Sequence, residues 1–298
     1  MIVWLNGDML PIERARVSPL DRGLTVGDGV FETLRVYRGT PFAFTRHYER
    51  LATSARALGI EPPVYDALRK AADAVLDANE LADARLRITV TAGEGPPGSS
   101  RAPSSPTTVV VVVPFHPAPP TAEAVVCPWT RNEHSATAGL KTLSYAANVR
   151  ALAYAEARGA SEALFANTSG NLCEATGSNV FAVFDGELVT PPPSAGCLLG
   201  VTRAIVLDVA RGAGLRVDER DIPIDALARA DEAFLSSSTR EVQAITTIDG
   251  VALPGAPGPV SEQVANLFRD LVARDLDPSP ASAQVDDVAG ADGDPHAV

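Results

Sequence analysis

Apolar residues recur along this chain in two different periods. Spacings of three and four residues, as in Leu68, Ala71, Val75 and Leu76, predict amphipathic helices. Such helices are predicted over 45–58, 64–80, 146–158, 201–213 and 259–275. Short apolar and β-branched runs predict strands at FETLRVYRGTPFAF, ARLRITVTAG, TTVVVVVPF, 162–166, 178–184 and 232–236. The alternation of the two patterns indicates a mixed α/β (α+β) fold, with the run TTVVVVVPF expected to be buried on both faces.

One segment interrupts both periods. HPAPPTAEA, at 116–124, places two consecutive prolines in a polar stretch, which is typical of an interdomain linker. We therefore predict a small N-terminal domain over 1–117, a linker over 118–124 and a larger domain over 125–276. The remaining residues, 277–298, are small, acidic or proline and are expected to be disordered.

Composition excludes several classes of protein. The 298 residues are 46% hydrophobic, which is enough for a substantial core, and no segment approaches the ~18 uninterrupted apolar residues of a membrane span. The formal net charge of −12 and the scattered arginines argue against a nucleic-acid partner. Three widely spaced cysteines suggest neither disulfides nor a zinc site, so a reducing cytoplasm is expected.

Lys141 is one of only two lysines in a chain with 25 basic residues. The other, Lys70, falls on the polar side of a predicted helix and is interpreted as a solvated charge. Lys141 has no acidic residue within five positions. Its amine could contact a phosphate, act as a general base, or attack a carbonyl as a nucleophile, and the last role requires the neutral form that burial favours.

Two further features could provide chemistry. Glu174 interrupts an uncharged stretch that leads into a predicted strand, so it needs either an arginine partner or the protonated nitrogen of a heterocycle. Gly200, Val201 and Thr202 begin a predicted helix, where free N–H groups and a hydroxyl can bind an anion, although Thr202 could equally be a simple helix cap.

Other hydroxyls and one arginine extend this anion-binding set. FLSSSTREV places Ser237 and Ser238 in a loop directly after a predicted strand. Arg50 ends FAFTRHYER, close to the apolar stripe of its predicted helix. The chain contains neither GxxxxGK nor GxGxxG, so a phosphate would have to be bound without those loops.

Seven ordered motifs resemble the fold-type IV pyridoxal phosphate (PLP) enzymes, the class IV aminotransferases. They are DRGLTVGDGVFETLRV (21–36), RHYERLATSARALGI (46–60), LKTLSYAANV (140–149), NLCEATGSNVF (171–181), LLGVTR (198–203), FLSSSTREV (234–242) and TTIDG (246–250). The resemblance covers about residues 3–275. It implies a two-domain enzyme with PLP in the cleft between the domains, usually as a homodimer.

The resemblance also implies roles for individual residues. Lys141 would bond covalently to the cofactor aldehyde and move the substrate proton, and Glu174 would keep the pyridine nitrogen protonated. The cofactor phosphate would be bound by a group of residues from three motifs, namely Arg50, Val201, Thr202, Ser237 and Ser238. Tyr145 would reach the phenolic oxygen of the ring.

The reaction is less strongly indicated. The motif around Phe31 is closest to the D-amino acid aminotransferases and the 4-amino-4-deoxychorismate lyases, but the Arg-x-His carboxylate trap of the former has no counterpart in GEGPPGSSRAP. Arg87 and Arg101 are the candidates for binding a substrate carboxylate, and an internal ion pair is the alternative for Arg87. We expect transfer from D-amino acids or (R)-amines to 2-oxo acids. The alternatives are a 4-amino-4-deoxychorismate lyase and a branched-chain L-aminotransferase.

Overall fold

The computed structural model describes residues 1–280, and these form two β-sheets with helices packed against them. The first sheet is antiparallel throughout, in the order β2-β1-β6-β5-β3-β4. Its strands are β1 (Ile2–Leu5), β2 (Asp8–Pro11), β3 (Gly29–Tyr37), β4 (Thr40–Pro41), β5 (Ala84–Thr91) and β6 (Thr107–Pro114). The mixed α/β fold class is confirmed.

The second sheet is mixed, in the order β12-β11-β10-β13-β14-β7-β8-β9, with β15 paired to β14. Its strands are β7 (Thr121–Val126), β8 (Glu162–Ala166), β9 (Leu172–Ala175), β10 (Asn179–Phe184), β11 (Glu187–Thr190), β12 (Val217–Glu219), β13 (Glu232–Ser237), β14 (Glu241–Ile248) and β15 (Val251–Ala252). The parallel pairs are β11 with β12, β14 with β7, and β7 with β8.

The helices lie close to the positions that their apolar periods predict. They are α1 (Arg22–Val26), α2 (Phe44–Ala57), α3 (Tyr65–Asn79), α4 (Ala146–Glu156), α5 (Val201–Gly212) and α6 (Pro259–Arg274). The five predicted helices each end within two residues of the observed bounds, and α1 was not predicted. Two short 3-10 helices occupy Pro193–Ala195 and Ile224–Arg229.

The helices bury their apolar stripes against the sheets. Leu51 of α2 and Leu68 of α3 pack with Leu34 and Leu86 of the first sheet. Helices α5 and α6 pack on the second sheet in a cluster that also includes Phe42, from just before α2. Because this cluster joins the two halves of the chain, burial of its apolar surface fixes the cleft between the sheets.

Three predictions need correction. Strand β6 alternates between fully buried and half-buried residues, so only one of its faces is fully buried, because helices cover that side of the first sheet. The predicted linker 118–124 is wrong at residues 121–124, where Ala122 and Ala124 are buried in strand β7. Disorder over 277–298 is wrong for Asp277, Pro278 and Ser279, which accept hydrogen bonds from α2. Residues 281–298 lie outside the described range, and the two-domain division stays a prediction.

Candidate active site

Lys141 lies in a loop that pairs with strand β3 as an additional edge. The Phe31 N–H donates to the Lys141 carbonyl at 3.1 Å, and the Leu143 N–H donates to the Gly29 carbonyl at 2.9 Å. The Lys141 N–H donates to the Ser54 hydroxyl of α2 at 3.2 Å. These bonds place Lys141 Nζ 4.6 Å from the centroid of the Phe31 ring. The backbone of Lys141 is therefore fixed between strand β3 of the first sheet and helix α2, which packs on that sheet.

The environment of Lys141 favours its neutral amine. Burial lowers the pKa of Lys141 to about 8, and the positive charge of Arg50 acts in the same direction. At pH 7 about one amine in ten is then neutral, against about one in 3000 at the ordinary pKa of about 10.5. The lysine is thus prepared for nucleophilic attack.

We expect the protein to react with the aldehyde of PLP, the cofactor that the sequence resemblance implies, at a rate that rises with pH and levels off above a midpoint near 8, the pKa of Lys141. The sign follows because only the neutral amine attacks an aldehyde, and the lowered pKa moves the onset of reactivity down from its usual range. Stopped-flow absorbance at a series of pH values measures this rate, with N-acetyl-lysine methylamide as the reference amine. A rate that is still rising at pH 9.5 would contradict the expectation.

Glu174 occupies strand β9 on another wall of the same cavity. Its Oε2 accepts from the Leu198 N–H at 2.9 Å, and its Oε1 lies 3.3 Å from Nε of Arg131. Burial raises the pKa of Glu174, while Arg131 and the Leu198 N–H oppose that shift. The Arg131 guanidinium lies 4.3 Å from the centroid of the Phe165 ring, which fixes its plane. The carboxylate thus has two fixed partners.

The first turn of helix α5 is the place where the sequence predicts an anion site. Gly200 precedes it, and no side chain caps its first turn within the described residues. The Asn179 side chain donates to the Leu198 carbonyl at 2.7 Å, and a Cβ at position 200 would overlap the Asn179 oxygen. Glycine is therefore required there. Val201 and Thr202 line the cavity, and the N–H groups of such a first turn can donate to an anion.

Hydroxyl groups of strand β13 and of the loop after it lie on the cavity wall. Ser237 and Ser238 line the cavity, as predicted, and Ser236 also lines it. The Ser236 hydroxyl is buried and has no hydrogen-bond partner within residues 1–280. Ser238 Oγ lies 3.4 Å from Nε2 of His47. Because an unpaired buried hydroxyl is costly, this wall is suited to a ligand with acceptor oxygens.

Arg50 lines the cavity, but its bidentate edge is turned to a residue that the sequence reasoning missed. Its Nε and Nη2 each donate to the carboxylate of Glu32 at 2.7 Å, and its Nη1 donates to the Leu199 carbonyl at 3.2 Å. Burial alone would raise the pKa of Glu32, yet Arg50 and His47 hold it well below its usual range. Glu32 therefore occupies the forked edge that Arg50 would otherwise offer to a phosphate. Only the N–H groups of Arg50 that do not donate to Glu32 or Leu199 remain for an anion.

Glu32, His47 and Arg131 are the charged or titratable residues that sequence reasoning missed. Glu32 is 0% exposed, and its Oε2 lies 2.6 Å from Nδ1 of His47. Burial lowers the pKa of His47, although Glu32 opposes this shift. A carboxylate within the apolar run GVFETL could have indicated Glu32 by the argument used for Glu174. No local pattern distinguished Arg131 from the other arginines.

Phe31, Tyr145 and Arg87 form the wall next to the lysine. The rings of Phe31 and Tyr145 meet edge to face with centroids 5.1 Å apart. The Arg87 guanidinium lies 3.8 Å from the Phe31 centroid and makes no ion pair within residues 1–280, so the internal ion pair considered for it is absent there. Desolvation lowers the pKa of Arg87, although part of its side chain is exposed. An unpaired guanidinium beside the lysine can bind a carboxylate.

Arg101, the other predicted carboxylate partner, lies outside this cavity. Its guanidinium pairs with the Asp28 carboxylate and donates to the carbonyl of Leu58 at 2.6 Å. It lines a second cavity together with Arg22 and Asp28. The partly buried carboxylate of Asp28 pairs with both arginines, so the charge of Arg101 is already partnered.

The main cavity has a volume of about 460 Å³. Ten of the eleven predicted site residues line it, all except Arg101; they are Phe31, Arg50, Arg87, Lys141, Tyr145, Glu174, Val201, Thr202, Ser237 and Ser238. Residues from both halves of the chain thus surround one space, although the role of each remains a prediction.

Comparison with known proteins agrees with the motifs. The family described as amino-transferase class IV matches residues 29–248, well over half of the chain. The chain belongs to the class IV aminotransferases. The resemblance seen in the sequence is thereby confirmed.

The known proteins that are similar to this class IV aminotransferase are named for different activities. A putative branched-chain-amino-acid aminotransferase from Methanocaldococcus jannaschii is 32% identical, over 91% of this chain and 96% of that protein. A D-alanine aminotransferase from Bacillus licheniformis is 30% identical, over 91% and 97% respectively. The solved PLP-bound form of a hypothetical aminotransferase from Mycobacterium tuberculosis is 28% identical, with a TM-score of 0.80 over 90% of this chain and 98% of that chain.

The side chains of this class IV aminotransferase fit PLP, the cofactor of the family. An amine with a lowered pKa suits the aldehyde, and a buried carboxylate suits a protonated ring nitrogen. Among residues 1–280 the first turn of α5 has no side-chain cap and the Ser236 hydroxyl has no hydrogen-bond partner, and both features suit the phosphate. No group of three or more side chains is arranged to bind a metal, and no helix is long and apolar enough to cross a membrane, within residues 1–280.

Proposed function

We propose that this class IV aminotransferase binds PLP and transfers the amino group of D-amino acids, and of (R)-amines, to 2-oxo acids. The observation that most directly supports an amino-acid substrate is Arg87. Its guanidinium makes no ion pair within residues 1–280 and lines the cavity of Lys141. Both groups contact the ring of Phe31, at 3.8 Å and 4.6 Å from the centroid. A substrate carboxylate bound there would lie on the same wall as the reacting amine.

Each residue would then have a distinct task. When bound, PLP supplies the aldehyde that takes up the amino group and the ring that accepts electrons from the broken Cα–H bond. Lys141 would accept the Cα proton at Nζ and deliver it to the cofactor carbon that carries the amino nitrogen. Glu174, fixed by Arg131 and Leu198, would hold a proton on the ring nitrogen. Tyr145 would donate to the phenolic oxygen of the ring.

The phosphate would occupy the end of the cavity formed by α5 and the loop after β13. The N–H groups of Val201 and Thr202, with the hydroxyls of Thr202, Ser237 and Ser238, would donate to it. Arg50 would add positive charge from its outer edge, since Glu32 accepts from its Nε and Nη2. The phosphate site is thus composed mainly of neutral donors.

Geometry supports a preference for one enantiomer, and the sequence supports its assignment to D-amino acids. Because Lys141 is fixed beside Phe31, only one enantiomer can present its Cα hydrogen to Nζ while its carboxylate contacts Arg87. DRGLTVGDGVFET resembles the D-specific and lyase branches of the family. A branched-chain L-aminotransferase is the second candidate, and the 32% identical relative favours it. Overall sequence identity does not separate the two candidate activities, since the D-alanine aminotransferase is 30% identical.

We expect faster half-reactions with D-alanine than with L-alanine or L-leucine, measured as the bleaching of the visible absorbance of bound PLP. Arg87→Ala should raise the KM for D-alanine about thirtyfold, since a hydrogen-bonded charge contributes about 2 kcal/mol. The same variant should leave the KM of (R)-1-phenylethylamine nearly unchanged, because that amine has no carboxylate. Arg85→Ala is the matched control, because Arg85 is exposed on the same strand, as Arg87 is, but does not line the main cavity.

Two outcomes would replace this proposal. Faster bleaching by L-leucine than by any D-amino acid would assign the enzyme to the branched-chain class. Release of pyruvate and 4-aminobenzoate from 4-amino-4-deoxychorismate, with negligible amino transfer, would make it a lyase. An equal KM increase for D-alanine and for the (R)-amine in Arg87→Ala would exclude Arg87 as the carboxylate partner.

The assembly and the compartment are also proposed. Val17, Leu20, Leu24 and Val26 are large apolar residues that lie within ten positions and remain exposed, with Leu24 at 71%. Such a patch supports burial against a second copy in a homodimer. The three cysteines are free and buried, which supports a reducing compartment such as the cytoplasm.

A further inference from the structure

Helix α2 begins without a cap from its own sequence. The residue before it, Ala43, has a left-handed φ of 53° and caps nothing with its side chain. Residues 276–279, here called the C-terminal strap, supply the missing partners. The Ala43 N–H donates to the Leu276 carbonyl at 2.7 Å, and Asp277 accepts from the Thr45 N–H at 2.9 Å and from the Thr45 hydroxyl at 2.6 Å. A carboxylate 232 residues away along the chain therefore caps α2.

The next residue of α2 binds the strap to a second helix. Arg46 is 9% exposed, and its guanidinium donates to the carbonyls of Pro278 and Ser279 at 2.9 Å and 2.7 Å. It also pairs with the carboxylate of Asp208 in α5 at 2.9 Å. One buried cation thus fixes α2, α5 and the strap relative to each other.

Both helices contribute to the proposed phosphate site. Helix α5 begins with Val201 and Thr202 on the cavity wall, and α2 includes Arg50, one turn beyond Arg46. Arg50 donates to the Leu199 carbonyl just before α5, at 3.2 Å. A shift of α2 relative to α5 would separate Arg50 from the N–H groups of α5. The strap opposes that shift because it contacts α2 directly and is linked to α5 through Arg46.

We propose that Asp277 and Arg46 are positioning residues for the cofactor phosphate. Neither residue lines the cavity, and each would act through the helix that it fixes. This inference rests on the proposed phosphate site formed by Arg50, Val201 and Thr202. It assigns to the C-terminal strap a role in cofactor affinity.

The test compares the affinities of the full-length enzyme for PLP and for pyridoxal, which has no phosphate. Both are titrated into cofactor-free protein and followed by visible absorbance. Asp277→Ala should weaken PLP binding about fivefold, as expected for the loss of a helix cap, and leave pyridoxal binding unchanged. Asp277→Asn should restore the wild-type ratio, because asparagine caps helices about as well. Asp270→Ala, an exposed carboxylate on α6, is the control that should change neither affinity.

Each remaining outcome decides the proposal. Equal weakening of PLP and pyridoxal in Asp277→Ala, or no weakening of either, would overturn it, since only a positioning role acts through the phosphate. Arg46→Gln gives a second measurement and should also lower the PLP to pyridoxal preference. Thr202→Ala reports on the phosphate site itself. If Thr202→Ala alone lowers the preference, the phosphate site is supported and the role of the strap is excluded. If neither Thr202→Ala nor Asp277→Ala lowers the preference for PLP over pyridoxal, the proposed phosphate site itself is wrong.

Discussion

Lys141→Ala is expected to abolish transamination, with kcat reduced by at least about 10³-fold. Positioned proton transfer alone contributes about 10²–10⁴-fold, and this variant also loses the amine that bonds to the cofactor aldehyde. No other lysine can replace it, because the only other one, Lys70, lies exposed on α3. Steady-state assay with D-alanine and a 2-oxo acid measures the loss.

The covalent bond gives an independent measurement of the same substitution. Borohydride reduction of the wild-type enzyme should add one reduced cofactor to the protein mass, and Lys141→Ala should show no such addition. Lys70→Ala is the matched control and should keep both the mass addition and the activity. A Lys141→Ala enzyme that retains the added mass or the wild-type rate would exclude this lysine from the reaction.

Glu174→Gln is expected to reduce kcat about 10²-fold or more while changing the substrate KM much less. Glutamine preserves the size of the side chain and can still accept from the Leu198 N–H, but it removes the negative charge that would hold a proton on the cofactor ring. Loss of one preorganised electrostatic contact in an active site costs about 10²–10³-fold in kcat. The substitution would slow the chemical step in which electrons enter the cofactor ring. We therefore expect kcat to change more than the substrate KM.

Single-turnover absorbance with D-alanine isolates that step. The bleaching rate should fall by about the same factor as kcat if Glu174 acts on the chemical step. Glu123→Gln, an exposed carboxylate on β7, is the control and should leave the rate unchanged. If Glu174→Gln bleaches within about twofold of the wild-type rate, the carboxylate instead serves as a structural partner of Arg131.

The sequence by itself determined the helices and most of the cavity wall. Amphipathic periods place α2, α3, α5 and α6 within two residues of their bounds, because the period depends on local geometry alone. Lys141 and Glu174 were identifiable because a charge in an uncharged stretch is costly wherever the chain places it. Gly200 and Thr202 were identifiable because helix termini expose the same N–H groups in every fold.

Only the tertiary structure decided which charges are paired. Arg101 is bound to Asp28, the bidentate edge of Arg50 faces Glu32, and Arg87 has no carboxylate partner within residues 1–280. These three arginines looked alike in the sequence, since an ion pair depends on which elements pack together and leaves no periodic pattern. Asp277 shows the same limit, because its composition predicted disorder while its contact with Thr45 joins residues 232 positions apart. Local preference fixed the elements, whereas long-range packing assigned the partners.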